Sequence, residues 1–114
     1  MTELAEALQA LLEQTGLPVW RGGCVPPEAS CPYLVWRLTL GETGTLTIDA
    51  VSREGSDESP ALLDRAAALF PFGGRLLQLT DGWVAVWPQK QTWIEEKQGA
   101  RVARLQCTMK EWMD

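Results

Sequence analysis

The sequence predicts one α+β domain spanning residues 1–114, in which two α-helices pack on one face of an antiparallel or mixed β-sheet of about five to six strands. Two observations predict this fold class. Two segments repeat apolar residues at helical spacing, and several others alternate apolar and polar residues. The order is helix, strand, strand, helix and then a run of strands with short connections, which favours antiparallel neighbours.

The first helix is predicted from Thr2, a suitable N-cap, to the turn at Thr15 and Gly16. Its leucines recur at spacings of four, three and one, so they form one apolar stripe. Pro18 prevents the helix from continuing. Residues 17–20 then form a short extended piece, and the breaker-rich residues 22–30 form a loop.

The strand over residues 32–40 is the element around which the rest of the fold is organised. Leu34, Trp36 and Leu38 point to one face, and polar residues alternate with them. Val35 lies on the polar face, which indicates that this face is either lightly covered or pressed against another protein.

Residues 41–44 turn the chain, and residues 45–51 return as a second alternating strand. Residues 52–59 are polar throughout and predict an exposed, mobile loop. Ser59 as N-cap and Pro60 at the first helical position predict a second helix, whose apolar stripe spans 62–70.

The pair Asp81 and Gly82 predicts a β-hairpin with a type I′ turn between strands 76–80 and 83–87. Pro88 is expected to end the second strand or kink it at an edge. A weaker strand over 91–97, a turn at 98–100 and a long strand over 101–112 complete the chain. The predicted dry face of that last strand comprises Ala103, Leu105, Cys107 and Met109.

Charge and cysteine content bound the partners and the compartment. The net charge of -5 disfavours nucleic acid as the main partner, because the average surface repels phosphate. The N-terminus lacks the pattern of a secretory signal, and no apolar run is long enough for a membrane span, so we expect a soluble cytoplasmic protein. Three cysteines indicate a reducing compartment, with either a Cys24–Cys31 disulfide or three buried thiols.

No residue pattern predicts an enzyme. The sequence contains no histidine, which removes the commonest general base near neutral pH and the Ser-His and Cys-His pairs. The cysteines lack zinc spacing, the acidic residues Glu54, Asp57 and Glu58 lack a calcium-loop register, and the glycine pairs match no phosphate-binding loop. We therefore expect no catalytic, cofactor-binding or metal-binding residue, and a structural or binding role.

Tryptophan is the dominant aromatic residue. Its large apolar area and its hydrogen-bonding edge suit either a core or an interface, and both interpretations stay open here. The six positions are Trp20, Trp36, Trp83, Trp87, Trp93 and Trp112.

The layout resembles the tail terminator, or tail completion, proteins of long-tailed phages and prophages. The resemblance rests on the leading helix that ends in Gly16-Leu17-Pro18, the segment 20–31 that leads into Pro-Tyr-Leu-Val-Trp-Arg-Leu at 32–38, the helix at 62–70 and the closing strand at 101–112. It covers nearly the full length of the chain.

This resemblance implies a minor tail protein without catalytic activity, which assembles in the host bacterial cytoplasm and remains in the virion tail. It implies a ring of copies, typically a hexamer, that terminates the tail tube and joins the head, with the tail tube protein and a head-completion protein as partners. We expect ring closure by a heterologous contact that uses the polar sheet face and the loop after it. The candidate interface residues are Tyr33, Arg37, Thr39, Thr45, Thr47, Asp49, Arg53, Glu54, Asp57 and Glu58.

The sequence leaves alternatives to these expectations open. A pair between Arg37 and Asp49 within one subunit accounts equally well for those two residues. The alternative functions are another neck or head-completion protein, or a small adaptor or inhibitor that binds a host protein through a tryptophan patch.

Overall fold

A computed structural model describes residues 2–39, 44–53, 58–71, 74–97 and 100–113, and it has the predicted α+β class. Most of the predicted turn at 41–44, together with Glu54 and Asp57, lies outside the described residues. The elements in chain order are α1 (Thr2–Glu13), β1 (Val19–Arg21), β2 (Tyr33–Thr39), β3 (Gly44–Arg53), α2 (Glu58–Ala67), β4 (Arg75–Leu79), β5 (Gly82–Lys97) and β6 (Ala100–Met113).

The described strands form one curled, mixed sheet in the order β1-β2-β3-β6-β5-β4. β1 runs parallel to β2, and the other neighbours are antiparallel. α2 packs on the central strands β3 and β6, whereas α1 contacts β1 and β4, which are the two edges. The sheet therefore curls around α1, and both helices lie on the same face, which we call the inner face.

The hydrophobic core lies between the inner face and the two helices. Alternate residues of β2, β3 and β6 point into it, as the period-two pattern predicted, and the leucines of α1 meet them. The residues that β2, β3 and β6 contribute are Leu34, Trp36, Leu46, Ile48, Ala50, Ala103, Leu105, Cys107 and Met109.

A hydrogen-bonded link through Gln9 fixes α1 to the β1 edge. The Gln9 Nε2 donates to the Val19 carbonyl oxygen at 2.8 Å, and the indole Nε1 of Trp36 donates to Gln9 Oε1 at 2.7 Å. The Arg21 guanidinium lies 5.3 Å from the centre of the same indole. Because Trp36 is almost wholly buried, Gln9 satisfies an indole N–H that water cannot reach.

The two helices are joined where α1 ends. Arg65 of α2 donates from Nη2 to the carbonyl oxygen of Thr15, an acceptor left without an intrahelical partner at the end of the helix. Gly16 has φ of 82°, the left-handed conformation predicted for it.

The boundary between β3 and α2 differs from the prediction. Ser52 and Arg53 belong to β3 instead of an exposed loop, and Ser52 is fully buried. The reason is tertiary: β6 continues alongside, and Ser52 Oγ donates to the Arg101 carbonyl oxygen at 3.5 Å. Glu58 lies in α2, so the helix begins before Ser59 and ends at Ala67, short of the predicted 70.

The β4–β5 hairpin exists, but its register is displaced from the prediction. Leu79 pairs with Gly82, so Thr80 and Asp81 occupy the loop, and Gly82 starts β5 without a positive φ. The Thr80 N–H and hydroxyl donate to Glu3 Oε1 of α1 at 2.8 and 2.9 Å. Because α1 supplies this acceptor, Thr80 does not need a partner on the opposite strand.

Pro88 does not end its strand. β5 continues through it to Lys97, with a register shift against β6 between Pro88 and Lys90. The pairing of β5 with β4 ends at Val86, which lies opposite Arg75, so Pro88 lies beyond the paired segment. Because Pro88 has no partner on β4, the N–H that proline lacks removes no hydrogen bond between these two strands.

The three thiols follow neither predicted arrangement. All are free: Cys24 is exposed, Cys31 is half-buried and Cys107 is buried. No helix in the described part of the chain has the length and apolar character needed to cross a membrane.

Replacing Gln9 with Ala is expected to lower the free energy of unfolding by about 1–3 kcal/mol, because the Trp36 N–H is left buried without an acceptor. Urea denaturation followed by tryptophan fluorescence measures this loss. Gln14→Ala, in the exposed turn after α1, is the control. A loss for Gln9→Ala no larger than the control's contradicts this role.

Burial raises the pKa of the Cys107 thiol from 9.0 to about 12. The folded state thus holds a proton that the unfolded chain releases, so this contribution to stability is complete below pH 9 and is lost as pH rises towards 12. Between pH 8 and 10.5 we expect the wild type to lose about 1–2 kcal/mol relative to Cys107→Val, measured by urea denaturation. Parallel pH profiles of the two proteins contradict this prediction.

Candidate functional site

The face of the sheet opposite the two helices carries no helix in the described structure, and we call it the outer face. The alternation of each strand and the cross-strand register bring its residues together. It comprises Trp20, Tyr33, Val35, Arg37, Thr39, Thr45, Thr47, Asp49, Val51, Arg53, Leu76, Gln78, Trp83, Ala85, Trp87, Lys90, Thr92, Val102, Arg104, Gln106, Thr108 and Lys110.

An ion cluster lies at the centre of this face. Arg104 on β6 donates from Nε to Asp49 Oδ1 at 2.7 Å and from Nη2 to Oδ2 at 3.0 Å, a two-bond fork. Arg37 on β2 adds one longer bond, from Nη1 to Oδ2 at 3.2 Å. The hydrogen bond to Asp49 raises the pKa of Arg104, against the effect of desolvation. The Arg37–Asp49 pair thus forms within one subunit.

The cluster is buried at its centre and open at its sides. Asp49 is only 6% exposed, whereas the Arg37 and Arg104 side chains are 53% and 40% exposed. Asp49 was predicted as an interface residue, but the strands and the two arginines cover its carboxylate. The arginines therefore present the charge to a partner, and solvent screens part of their attraction to Asp49.

Gly22 supports Arg37 from the loop after β1. Its N–H donates to the Trp36 carbonyl oxygen at 2.7 Å, and a Cβ on it would lie 2.4 Å from Arg37 Cγ. The Arg37 stem therefore crosses the bare backbone at Gly22. The sequence marked Gly22 only as a turn residue, and nothing local in the sequence indicates the contact.

The described part of the outer face is basic although the chain is acidic. Among its described side chains Asp49 is the anion, and it is buried, whereas the cations are at least partly exposed. These cations are Arg37, Arg53, Lys90, Arg104 and Lys110.

One end of the outer face is apolar. Leu76 on β4 is 61% exposed and Trp83 on β5 is 40% exposed, the two exposed large hydrophobic side chains of the described structure. Half-buried Trp87 extends this patch and packs 3.5 Å from the position that a Cβ on Gly74 would occupy. Trp36 belongs to the core, as one tryptophan interpretation predicted, whereas for exposed Trp83 an interface role stays a prediction. No pattern in the sequence indicated the exposure of Leu76.

The opposite end is more covered. Trp20 of β1 lies beside Val35, which is buried within its own chain, so a partner is not needed to cover it. The Trp20 Nε1 is buried without a hydrogen-bond partner in the described structure. Burial raises the pKa of neighbouring Tyr33, and Cys31 adds to the shift.

The predicted interface residues divide into two groups. Tyr33, Arg37, Thr39, Thr45, Thr47, Asp49 and Arg53 lie together on the outer face. Glu54 and Asp57 lie outside the described residues, and Glu58 is placed only as the first residue of α2. The prediction missed Arg104, because the pairing of β3 with β6 joins residues 55 positions apart.

Two small cavities lie away from the outer-face cluster. One, of about 150 Å³, lies between α1 and the β4–β5 hairpin, with Glu3, Asp81 and Glu111 in its lining. The other, of about 180 Å³, lies under α2 near Pro60 and Leu63. In the described part of the chain, no three side chains of metal-binding type are grouped so that they could hold an ion.

Comparison with known proteins adds a fold and no function. The sequence matches no protein-family model and no curated protein. One solved structure, named only by a sequence identifier, is similar with a TM-score of 0.70 and 15% identity, over 99% of this chain and 93% of that chain. The likeness shows that this six-stranded fold occurs in another protein of nearly the same length.

Replacing Asp49 with Asn is expected to lower the free energy of unfolding by about 1–3 kcal/mol, because two guanidinium groups lose their shared anion. Arg104→Met should cost more than Arg37→Met, since Arg104 makes the two shorter bonds. Double-mutant cycles with Asp49→Asn measure each coupling energy.

The control is Arg53→Met, elsewhere on the same face, for which we expect a change within about 0.5 kcal/mol. Equal couplings for Arg37 and Arg104 contradict the assigned geometry.

Proposed function

We propose that this protein is a tail assembly subunit of a phage or prophage, which forms a ring, typically of six copies, on the tail tube. The ring stops tube growth and presents the surface to which the head joins. Assembly takes place in the host bacterial cytoplasm, and the subunit stays in the virion tail. Its partners are further copies of itself, the tail tube protein and a head-completion protein, and it works without a cofactor.

The observation that carries the proposal is the helix-free outer face. A sheet with both helices on one side leaves the other side available to another protein, and here that side carries exposed Leu76 and Trp83 at one end and the partly exposed Arg37 and Arg104 at its centre. Tryptophan and arginine side chains are enriched among the few residues that supply most of the binding energy in protein interfaces. The leading helix, the second helix after the first strand pair and the long closing strand, which are parts of the resemblance, support the proposal.

The chemistry of the described residues supports an assembly role over a catalytic one. Asp49, the buried carboxylate of the described outer face, is paired with two arginines. A general base must reach a substrate proton, and Asp49 is instead engaged in the sheet. What the outer face offers a partner is shape, charge and apolar area.

A second candidate function is a small adaptor or inhibitor that binds one host protein. The exposed pair Leu76 and Trp83 favours it, because a compact apolar patch of this kind suits one partner as well as a ring. A stable one-to-one complex with a host protein, together with no association with tail tubes, would establish this alternative over the first.

The test of the proposed function uses tail tubes assembled from a phage tail tube protein. With the wild-type protein we expect rings at one tube end and tubes that stop lengthening, both visible by negative-stain electron microscopy. Leu76→Asp, which places a charge in the apolar patch, should reduce tube capping roughly tenfold or more.

Ala61→Asp places the same charge at an exposed position on α2, on the other side of the subunit, and is the matched control. Tubes that carry no rings and lengthen at the same rate with and without the wild-type protein would rule out a terminator role.

A further inference from the structure

The exposed side of α1 is an acidic stripe. Glu3, Glu6 and Glu13 are exposed on it with Ala10 between them, while the leucines of the helix face the core. α1 contains no lysine or arginine. Positions three and seven apart lie on one side of a helix, and at 1.5 Å per residue the stripe from Glu3 to Glu13 is about 15 Å long.

A basic row of matching length crosses the outer face. The register places Arg37, Thr47, Gln106 and Lys90 side by side on β2, β3, β6 and β5. Strands are spaced by about 4.8 Å, so the row from Arg37 to Lys90 is about 14 Å long. Arg104 lies in the next row and adds a further partly exposed guanidinium. The two central residues of the basic row, Thr47 and Gln106, are uncharged. If the acidic stripe lay along this row, its uncharged Ala10 would face them.

The acidic stripe and the basic row lie on opposite sides of the subunit, because α1 covers the inner face and the row lies on the outer face. One copy therefore cannot join its own two surfaces. A contact between them joins different patches on two copies, and contacts of this kind build rings when the rotation closes.

We propose that the acidic stripe of α1 in one copy docks on the basic row of the outer face in the next copy. This inference rests on the proposed function, since it names the two surfaces through which the ring forms. A second copy suits the basic row better than nucleic acid does, because the stripe matches the row in charge and length and the chain as a whole carries -5.

Salt sets the conditions for the test. At about 0.1 M salt the Debye length is about 10 Å, so the repulsion between two copies of net charge -5 is damped while charges in contact still attract. Association should weaken further as the salt is raised to about 1 M, where the Debye length is about 3 Å.

The first experiment is zero-length cross-linking with a carbodiimide, which joins a carboxylate to an amine only when they touch. Mixing isotope-labelled with unlabelled wild-type protein, we expect mass spectrometry to find Glu6 or Glu13 joined to Lys90 in pairs that carry both labels. The mixed label proves that the bond joins two copies.

The second experiment exchanges the charges. Glu6→Lys with Glu13→Lys makes the stripe basic, and Lys90→Glu with Gln106→Glu makes the row acidic; these four positions are exposed. Each double variant alone should self-associate roughly tenfold more weakly or worse in sedimentation. Mixing the two should restore association, since each reversed surface then meets its complement.

Glu28→Lys with Asp64→Lys changes the net charge by the same amount as the stripe variant and should leave self-association unchanged. Thermal melting of every variant separates loss of docking from loss of folding.

The outcomes separate this docking from the proposed function. If the wild type self-associates but the mixture of the two double variants does not, the docking is overturned. Cross-links that join residues other than these overturn it as well. Neither result affects the rings on tail tubes. A wild-type chain that stays monomeric and uncross-linked at about 0.5 mM, a concentration that detects even millimolar affinity, also overturns it. Loss of the rings on tail tubes with the cross-links retained overturns the tail function alone.

Discussion

The alternation of side chains along β2, β3 and β6 is the constraint on which the other features depend. Each of these strands sends most of its apolar residues to the inner face and most of its polar residues to the outer face, and the antiparallel register keeps the two sets in line across the sheet. A shift by one residue would move Asp49 and Arg104 into the core and Ile48 and Leu105 out of it. The energetic penalty of burying those charges holds the register in place.

The curl of the sheet follows from what the inner face has to cover. α1 is the element that contacts both edge strands. On one side Gln9 bonds to Val19 and Trp36, and on the other side Glu3 accepts hydrogen bonds from Thr80. Both links satisfy groups that the strands leave without a partner. Because each helix is committed to the inner face, neither is available to cover the outer face, which stays exposed.

Charge is distributed over the fold in the same two-sided way. The acidic side chains of α1 follow from its amphipathic pattern, while the cations of the outer face come from four separate strands. Asp49 neutralises part of that positive charge from beneath and orients Arg37 and Arg104 towards solvent. A protein with a net negative charge thus has a basic surface on one side and an acidic helix on the other, an arrangement suited to contact between copies.

Local periodicity and turn residues predicted the two helices, the dry faces of the strands and the outer-face position of Tyr33, Arg37, Thr39 and Thr47, because these features depend on residues near in the chain. The pairing of β3 with β6 joins distant segments and emerges only in the folded structure. With it come the fork from Arg104 to Asp49, the strand position of Arg53 and the burial of Ser52, and the packing of Arg37 over Gly22 is likewise a tertiary contact. Tertiary structure also set the hairpin register, since the acceptor for Thr80 comes from α1. The physical reason is that a strand's own pattern specifies which side chains are buried, whereas the partners of its polar groups are supplied by segments far away in the chain.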